Sequence, residues 1–314
     1  MALNVVVLVG GVGGAKLAFG LARILPPEHL TIIVNTADDF WLYGLQICPD
    51  LDTILYTLAG LVDRTNGWGI GGDTTIALDA LRRYGEETWF RLGDQDIATH
   101  LLRTGWLRDG ERLTTIMARL AAALGVRQTI LPMTDDPVAT MVTTAEYGEI
   151  GFQTYFVRHR WQPVVTALRF EGIERAAMTP EVRAALERAN IILIGPSNPW
   201  LSIDPILALP GMRALLTSRP VPRVAVTPIV GGRALKGPAA KLMVELGYEP
   251  SPEVVARHYG ETINGFIYDR SDGFLSIPLA HTAAFETIMK SDDDKIYLAQ
   301  NVIEWIKSWV SMQV

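Results

Sequence analysis

The sequence has little of what several classes of protein require. It contains one cysteine, Cys48, so it cannot form an intramolecular disulfide, and its five histidines are too scattered for a zinc pattern. No apolar run reaches the about 18 residues that a membrane helix needs. The apolar stretch 5–9 runs into glycines without a basic segment before it, which predicts a buried strand and not a signal peptide. We therefore expect a protein of the reducing cytoplasm, with no membrane partner.

Basic charge is also scarce. The 28 Lys and Arg residues are outnumbered by 34 Asp and Glu, which gives a formal net charge of -6. Binding to nucleic acid through counterion release needs a general basic surface, so we expect no nucleic-acid partner. With 49% hydrophobic and 20% charged residues, the chain can bury a large core. We predict one α/β domain over residues 1–314.

The first 34 residues indicate the fold. Residues 4–9 form a β-branched run, residues 15–25 have helical spacing, and residues 30–34 form a second apolar run. Strand, helix and strand in about 30 residues make one right-handed parallel unit. The pattern predicts a doubly wound, Rossmann-like fold with a mainly parallel sheet.

The middle of the chain departs from this alternation. Residues 97–125 have helical spacing that we expect to be broken at Gly105 and at Asp109-Gly110, and residues 140–170 have β character. We predict an inserted helical and β subdomain at roughly 95–185. The alternation resumes with a helix at 180–188, strands at 190–194 and 223–226, and a closing helix at 292–309.

Glycines follow the first strand, in the segment Gly10-Gly-Val-Gly-Gly14. The dinucleotide fingerprint would need glycine at Lys16, and the Walker A pattern would need glycine at Ala15 and Ser or Thr at Leu17. The turn matches neither motif, which disfavours a nicotinamide dehydrogenase. Its glycines and the following helix N-terminus are still typical of a phosphate site, with Lys16 adding a positive charge. A tight turn without a ligand is the alternative.

Four carboxylates lie shortly after the second strand: Asp38, Asp39, Asp50 and Asp52. Carboxylates repel phosphate unless a cation lies between them, so the pattern predicts a divalent metal, Mg²⁺, that holds a phosphorylated ligand. Helix or turn capping is the alternative and explains at least one of the four.

Two further polar segments are candidates. Asp94, Asp96 and His100 are spaced either for a general base and a hydroxyl-binding group or for an ordinary helix N-terminus. Ser197 and Asn198 follow the strand at 190–194, where a nucleotide would be contacted, or they form an Asx or Ser turn.

Six ordered motifs together resemble a known family. They are Gly10-Gly-Val-Gly-Gly-Ala-Lys16, Asn35-Thr-Ala-Asp-Asp39, Pro49-Asp-Leu-Asp-Thr53, Gly93-Asp-Gln-Asp96 with Ala98-Thr-His100, Leu131-Pro-Met with Asp135-Asp-Pro137, and Gly195-Pro-Ser-Asn-Pro199. The sequence is similar to the 2-phospho-L-lactate transferases of coenzyme F-420 biosynthesis, collinearly over about residues 5–245.

The resemblance implies a reaction. A 2-phospholactyl-type group (lactyl, enolpyruvyl or glyceryl) would move from a guanosine diphospho-linked donor to the terminal ribityl hydroxyl of the deazaflavin Fo. GMP would leave, with Mg²⁺ as the cofactor, and the F-420-0 core would form. The sequence departs from the family at Val12, where many relatives carry Thr, and over Gly71-Gly-Asp-Thr74.

The resemblance also implies roles for residues. Asp39 and Asp50 would bind the metal, Asp50 and Asp94 would be catalytic, and Asp94 would orient the Fo hydroxyl. The predicted substrate-binding residues are Gly11, Val12, Gly13, Gly14 and Lys16 at the diphosphate, Ser197 and Asn198 at the guanosine, Asp38 and Asp52 as acceptors for hydroxyls or supports of the metal ligands, and Asn35, Thr36, Asp96 and His100.

Two expectations concern the protein as a whole. We expect a homodimer on general grounds. The alternative function is that of a nucleotide-sugar-binding regulatory protein, which would share the glycine turn and the fold but would not catalyse a reaction.

Overall fold

The computed structural model describes residues 3–234 and 237–311. We number the elements in chain order. The strands of the described ranges are β1 Val5–Val9, β2 Leu30–Val34, β3 Phe40–Leu42, β4 Leu45–Ile47, β5 Thr129–Pro132, β6 Ala139–Thr144, β7 Gly148–Gly151, β8 Val165–Glu171, β9 Ile191–Ile194, β10 Arg223–Val226, β11 Ile229–Val230, β12 Arg233–Ala234, β13 Gly265–Asp269 and β14 His281–Phe285.

The α-helices of the same ranges are α1 Gly11–Ile24, α2 Pro49–Ala59, α3 Ile76–Arg83, α4 Asp94–Arg108, α5 Leu113–Ala123, α6 Pro180–Arg188, α7 Asp204–Ala208, α8 Met212–Ser218, α9 Ala239–Glu245, α10 Pro252–Tyr259 and α11 Asp292–Ser311. Short 3₁₀ turns occur at Pro27–His29, Gly260–Thr262 and Arg270–Asp272, and π-helical turns at Thr154–Arg158 and Pro199–Ile203.

Seven strands form the central sheet, in the order β14-β13-β10-β9-β1-β2-β5. Every neighbouring pair in it is parallel. The chain builds the sheet from β1 outwards through β2 to β5, and then from β9 outwards to β14. The predicted doubly wound α/β fold is confirmed, and its winding direction reverses between β1 and β9.

The sheet is buried on both faces, which explains its continuous apolar strands. Along β1, Val5, Val7 and Val9 belong to one hydrophobic core, while Val6 and Leu8 belong to the other. The first core packs against α1, α2, α5 and α11, and the second against α6, α7, α8 and α9. Both helix layers thus hold the strand ends in fixed positions.

The region predicted as an insertion contains a separate small sheet and one strand of the central sheet. β6, β7 and β8 form a separate antiparallel sheet, whereas β5 pairs with β2 in the central sheet. Thr129–Pro132 therefore belongs to the core within the range 95–185. The division of the chain into a domain and a subdomain stays a prediction.

Candidate active site

A cavity of about 910 Å³ opens at the carboxyl ends of the central strands, where the winding reverses. Doubly wound sheets bind ligands at this position. Its described lining includes Gly10, Gly11, Val12, Gly13, Lys16, Asp38, Asp50, Asp52, Tyr56, Asp96, His100, Ser197 and Asn198, so most of the predicted site residues converge there.

The glycine turn is packed tightly against the turn after β9. The Gly10 amide donates to Ser197 Oγ at 3.1 Å, and the Ser197 hydroxyl donates to the Gly10 carbonyl at 2.7 Å. A Cβ atom on Gly13 would lie 2.1 Å from the Pro196 carbonyl oxygen, and one on Gly14 would lie 2.6 Å from Ser197 Oγ. Close packing accounts for these two glycines whether or not a phosphate binds.

Asp50 joins the glycine turn to the segment after β2. Its Oδ1 accepts from the Gly11 amide at 2.7 Å, and its Oδ2 accepts from the Asn35 side-chain amide at 3.0 Å. Burial raises the pKa of Asp50 to about 6, although both hydrogen bonds lower it. The carboxylate thus occupies the N-terminal end of α1, at the edge of the cavity.

The charge of Asp50 acts on the carboxyl group of Asp38. Its pKa is raised well above the usual value by burial and then by the negative charge of Asp50. The Thr140 hydroxyl donates to its Oδ1 at 3.3 Å, and the Gln153 side chain holds its carbonyl at 3.2 Å. β6 and the segment after β7 therefore both hold Asp38 by hydrogen bonds.

Asp39 lies outside the described cavity lining. Burial raises its pKa well above the usual value, while a hydrogen bond from Cys48 and the charge of Arg103 lower it. Its Oδ1 is buried without a hydrogen-bond partner among the described residues. The predicted metal role of Asp39 stays a prediction.

Lys16 and Val12 line the cavity from the first turns of α1. The Lys16 ammonium donates to the Met289 carbonyl at 2.7 Å, which ties α1 to the segment after β14. Its positive charge therefore lies at the cavity wall, near the glycine turn.

A buried polar network connects α2 to α4. The fully buried guanidinium of Arg103 forms a fork with both oxygens of Asp52, one contact being 3.1 Å long. A second Arg103 contact reaches His100 Nδ1 at 3.3 Å. His100 Nε2 lies 3.3 Å from Asp96 Oδ1, and the Tyr56 hydroxyl donates to the same oxygen at 2.7 Å.

This network decides the charge of Asp96. Burial opposes its ionisation, but hydrogen bonds from His100 and Tyr56 and the charge of Arg103 leave its pKa below the usual value. Asp52, Asp96 and His100 bring their ligand atoms within 4.8 Å of one another and could hold a metal ion. Arg103 already neutralises Asp52 and approaches His100, so a metal would have to compete with this guanidinium.

The carboxylates near the glycine turn are the metal ligands that the sequence predicted, but among the described residues only Asp52, Asp96 and His100 form a group of three with ligand atoms within 4.8 Å of one another. Asp38, Asp39 and Asp50 offer only oxygen ligands, which Mg²⁺ prefers, and none of them takes part in a described ion pair. Burial raises the pKa of each of these three carboxyl groups, and a cation bound beside them would favour their charged forms.

Two predicted residues, Asn198 and Asn35, have evident structural roles. Asn198 caps the turn at 199–203 by accepting from the Trp200 and Leu201 amides, yet it also lines the cavity. Asn35 holds Asp50 and the Ala37 amide, and Thr36 is buried; neither lines the described cavity.

Asp94 is the predicted catalytic residue that the structure separates from the rest. Its oxygens accept from the Thr74 hydroxyl and from the Ile76 and Ala77 amides, so the carboxylate caps α3. It is absent from the described cavity lining. Its catalytic role stays a prediction that this geometry does not support.

Sequence reasoning missed an aromatic wall. Trp68, Trp89, Phe90, Phe152, Phe156 and Trp161 all line the cavity. The Phe152 and Phe156 rings stack at 5.3 Å, and Phe40 supports Phe90 edge-on at 4.9 Å. Three of the eight tryptophans of the chain are in this wall, but they come from three separate segments without a common motif.

None of the described helices is long and apolar enough to cross a membrane.

Comparison with known proteins gives consistent matches. Residues 5–296 match the family model described as 2-phospho-L-lactate transferase CofD. Over 303 residues the chain is 42% identical to a 2-phospho-L-lactate transferase of Methanosarcina mazei, covering 95% of this chain and 99% of that protein.

Two further relatives extend the comparison. A phosphoenolpyruvate transferase of Mycobacterium avium is 42% identical over 283 residues, covering 82% of this chain and 84% of that protein. Among solved structures, a member of the UPF0052 family from Bacillus halodurans superimposes with a TM-score of 0.63 at 14% identity, covering 96% of this chain and 99% of that chain. The structural match supports the fold alone.

Proposed function

The chain belongs to the family of 2-phospho-L-lactate transferase CofD, and we propose that it moves a 2-phospholactyl-type group from a guanosine diphospho-linked donor to the terminal ribityl hydroxyl of the deazaflavin Fo. GMP is the second product, and the first is the core of coenzyme F-420. Relatives of equal identity are named for phospholactate and for phosphoenolpyruvate transfer, which supports a lactyl or an enolpyruvyl group. The proposal also includes a glyceryl group, which differs from these by a few atoms. We place this reaction in the cytoplasm.

One observation carries the proposal: the buried carboxylates of Asp38 and Asp50 line the same cavity as the glycine turn of α1. Carboxylates of raised pKa beside a phosphate-type turn favour a ligand that brings both phosphate and a cation. A volume of about 910 Å³ is within the range of sites for ligands of drug size, and here it has to hold a donor and an acceptor.

Different residues of the cavity bind the donor and the acceptor in this proposal. The first turn of α1, from Gly11 to Gly14, and Lys16 face the diphosphate of the donor. Ser197 and Asn198 lie beside its guanosine, and the aromatic wall offers faces on which the flat deazaflavin ring can stack. Binding in this way brings the hydroxyl of the acceptor and the phosphorus of the donor together, which is the main catalytic task in phosphoryl chemistry.

We assign Mg²⁺ to Asp50, with Asp39 and Asp38 as further ligands. When bound, Mg²⁺ neutralises the diphosphate and stabilises the negative charge of the departing GMP. The protein supplies the oxygen ligands, and Asn35 and the Gly11 amide hold Asp50 in place.

The proposal is tested by measuring GMP release with a lactyl, enolpyruvyl or glyceryl donor in the presence and absence of Fo and Mg²⁺. We expect release that requires both. Asp50→Asn keeps the shape of the side chain, and we expect it to lower kcat by at least about 100-fold because it removes a charged ligand of the Mg²⁺ that stabilises the leaving phosphate. Asp79→Asn is the matched control, since Asp79 is exposed on α3 and pairs only with Arg82 among the described ion pairs.

The same experiment separates the alternative function. A nucleotide-sugar-binding regulator would bind a uridine diphosphate sugar tightly, would not bind Fo, and would release no GMP with any donor. That result, or full activity of Asp50→Asn, would overturn the proposal.

A further inference from the structure

The two carboxylates at the start of α4 have different environments. Asp94 uses both oxygens to cap α3, and Asp96 lines the cavity with a side chain that is 13% exposed. Tyr56 and His100 both approach Oδ1 of Asp96, while no described residue donates a hydrogen bond to Oδ2. Asp96 therefore has one oxygen held by the protein and one available to a ligand.

The buried network fixes the orientation of this carboxylate. A guanidinium can only donate, so the contact from Arg103 assigns His100 Nδ1 as an acceptor and puts the imidazole proton on Nε2. Nε2 lies 3.3 Å from Asp96 Oδ1. Arg103 is in turn fixed by its fork with Asp52, and its side chain has no exposed surface. The Tyr56 hydroxyl therefore holds Asp96 Oδ1 by a hydrogen bond, while His100 Nε2 lies next to the same oxygen without a hydrogen bond to any described residue.

The geometry points to Asp96 as the catalytic residue that binds the acceptor hydroxyl through Oδ2, with Arg103, His100 and Tyr56 as positioning residues. This inference rests on the proposed function, because it names the acceptor side of the same site. It assigns to Asp96 the role that the sequence predicted for Asp94.

The proposed transfer forms one bond to phosphorus and breaks another. The hydroxyl oxygen of the acceptor forms a bond to the phosphorus that carries the lactyl-type group. The bond from this phosphorus to the bridging oxygen of the diphosphate breaks, and its electron pair leaves with GMP. The hydroxyl proton passes to Asp96 Oδ2 and returns to solvent after the product leaves. No oxidant or reductant takes part.

Arg103 also explains why we do not assign a metal to Asp52, Asp96 and His100. The guanidinium supplies a positive charge at this group and occupies one ring nitrogen of His100 and both oxygens of Asp52. Asp96 Oδ2 would be the only unoccupied carboxylate oxygen of the three residues, which is too few for a site formed by the protein.

The test compares Asp96→Asn with Asp94→Asn in the Fo-dependent GMP assay, with thermal unfolding as a check of folding. We expect Asp96→Asn to lower kcat by about 100-fold or more, because an amide cannot take the hydroxyl proton. The KM of the donor should change by less than about threefold, since the donor binds elsewhere in the cavity. Asp94→Asn should lower the melting temperature more than it lowers kcat, because it weakens the cap of α3.

A second variant tests the positioning residues without disturbing the buried charge of Arg103. Tyr56→Phe removes the hydroxyl that holds Asp96 Oδ1 and keeps the ring, so it should fold. We expect a kcat loss of about tenfold, with the KM of the donor unchanged, which a purely structural role would not produce.

Three results would overturn the inference. The first is an Asp96→Asn variant whose kcat stays within about fivefold of the wild-type value, or an Asp94→Asn variant whose kcat falls as much as that of Asp96→Asn. The second is an Asp96→Asn variant whose half-saturating Mg²⁺ concentration rises more than about tenfold, which would make Asp96 a metal ligand. The third is the absence of Fo-dependent GMP release by the wild-type protein, which would remove the proposed function together with this inference.

Discussion

Ionisation of Asp50 at neutral pH lowers the free energy of unfolding. Its pKa is raised by burial from the unfolded value of 3.8 to about 6. Between these two values the folded protein binds more protons than the unfolded chain, so the free energy of unfolding falls as the pH rises. Two pKa units correspond to about 3 kcal/mol, and the loss is complete above the folded pKa. Asp38, whose pKa is also raised, acts in the same direction.

We therefore predict that metal-free wild-type protein becomes less stable relative to Asp50→Asn as the pH rises from 4 to 7. The difference in the free energy of unfolding between the two proteins should change by up to about 3 kcal/mol, measured by urea unfolding in a chelator. Addition of Mg²⁺ at pH 7 should recover part of the loss in the wild-type protein only. Parallel pH profiles of the two proteins would contradict this prediction.

At the scale of residues, the sequence predicted which side chains line the cavity better than it predicted their contacts. Asp38, Asp50, Lys16 and Ser197 could be predicted because each follows a recognisable strand, and strand ends of a parallel sheet meet at one edge. Arg103 could not, since nothing in a helical segment marks one arginine as fully buried. Asp94 and Asp96 are two residues apart, and only the position of α3 shows which of them is a cap.

At the scale of elements, close packing limits which substitutions the turn between β1 and α1 can accept. We predict that Gly13→Ala destabilises the protein by about 1–3 kcal/mol, because its Cβ would lie 2.1 Å from the Pro196 carbonyl oxygen and one of the two turns must move. The movement should also lower donor binding, since both turns line the cavity. Urea unfolding and the KM of the donor measure the two effects.

Gly105→Ala is the matched control for this substitution. Gly105 is exposed within α4, and no atom lies within 4 Å of an added Cβ, so the variant should gain about 0.5–1 kcal/mol from helix propensity. Equal effects of the two substitutions would show that the contact with Pro196 does not control the turn.

The elements themselves were predicted where the pattern is long or clearly bounded. The helix at 180–188 and the strands β1, β2 and β10 agree with their predicted ranges. The expected break at Gly105 was wrong, because a single glycine costs a helix only about 1 kcal/mol and α4 continues through it up to Arg108. α1 begins at Gly11, four residues before the predicted start, and Gly11 itself has a positive φ of 59°, which glycine adopts readily. β13 and β14 were not predicted, since they lie far from any motif.

At the scale of the whole molecule, the site is assembled from segments that are distant in sequence. The cavity lining extends from Gly10 to Lys290 and includes residues of both helix layers. The aromatic wall illustrates why such a site is only partly predictable, since Trp68, Trp89 and Trp161 are brought together by the fold and by no local pattern. The expected homodimer stays a prediction at this scale.

A ligand that bridges these segments should stabilise the protein as a unit. We predict that GDP with Mg²⁺, used as a stable probe of the donor site, raises the free energy of unfolding by about 2.7 kcal/mol at a concentration 100 times its Kd. For a chain of this size the melting temperature should rise by several degrees, because about 1 kcal/mol corresponds to about 2–4 °C in domains of somewhat smaller size. The measurement is thermal unfolding with GDP alone, Mg²⁺ alone and both.

The shifts in melting temperature of two variants distinguish the metal ligands from the residue that binds the acceptor. Asp50→Asn should abolish the part of the shift that needs Mg²⁺, because it removes a proposed ligand of the cation. Asp96→Asn should keep the full shift, because Asp96 binds the acceptor and not the donor. The same loss in both variants would mean that one metal or nucleotide site includes both carboxylates, and the donor and acceptor sides would then have to be assigned again.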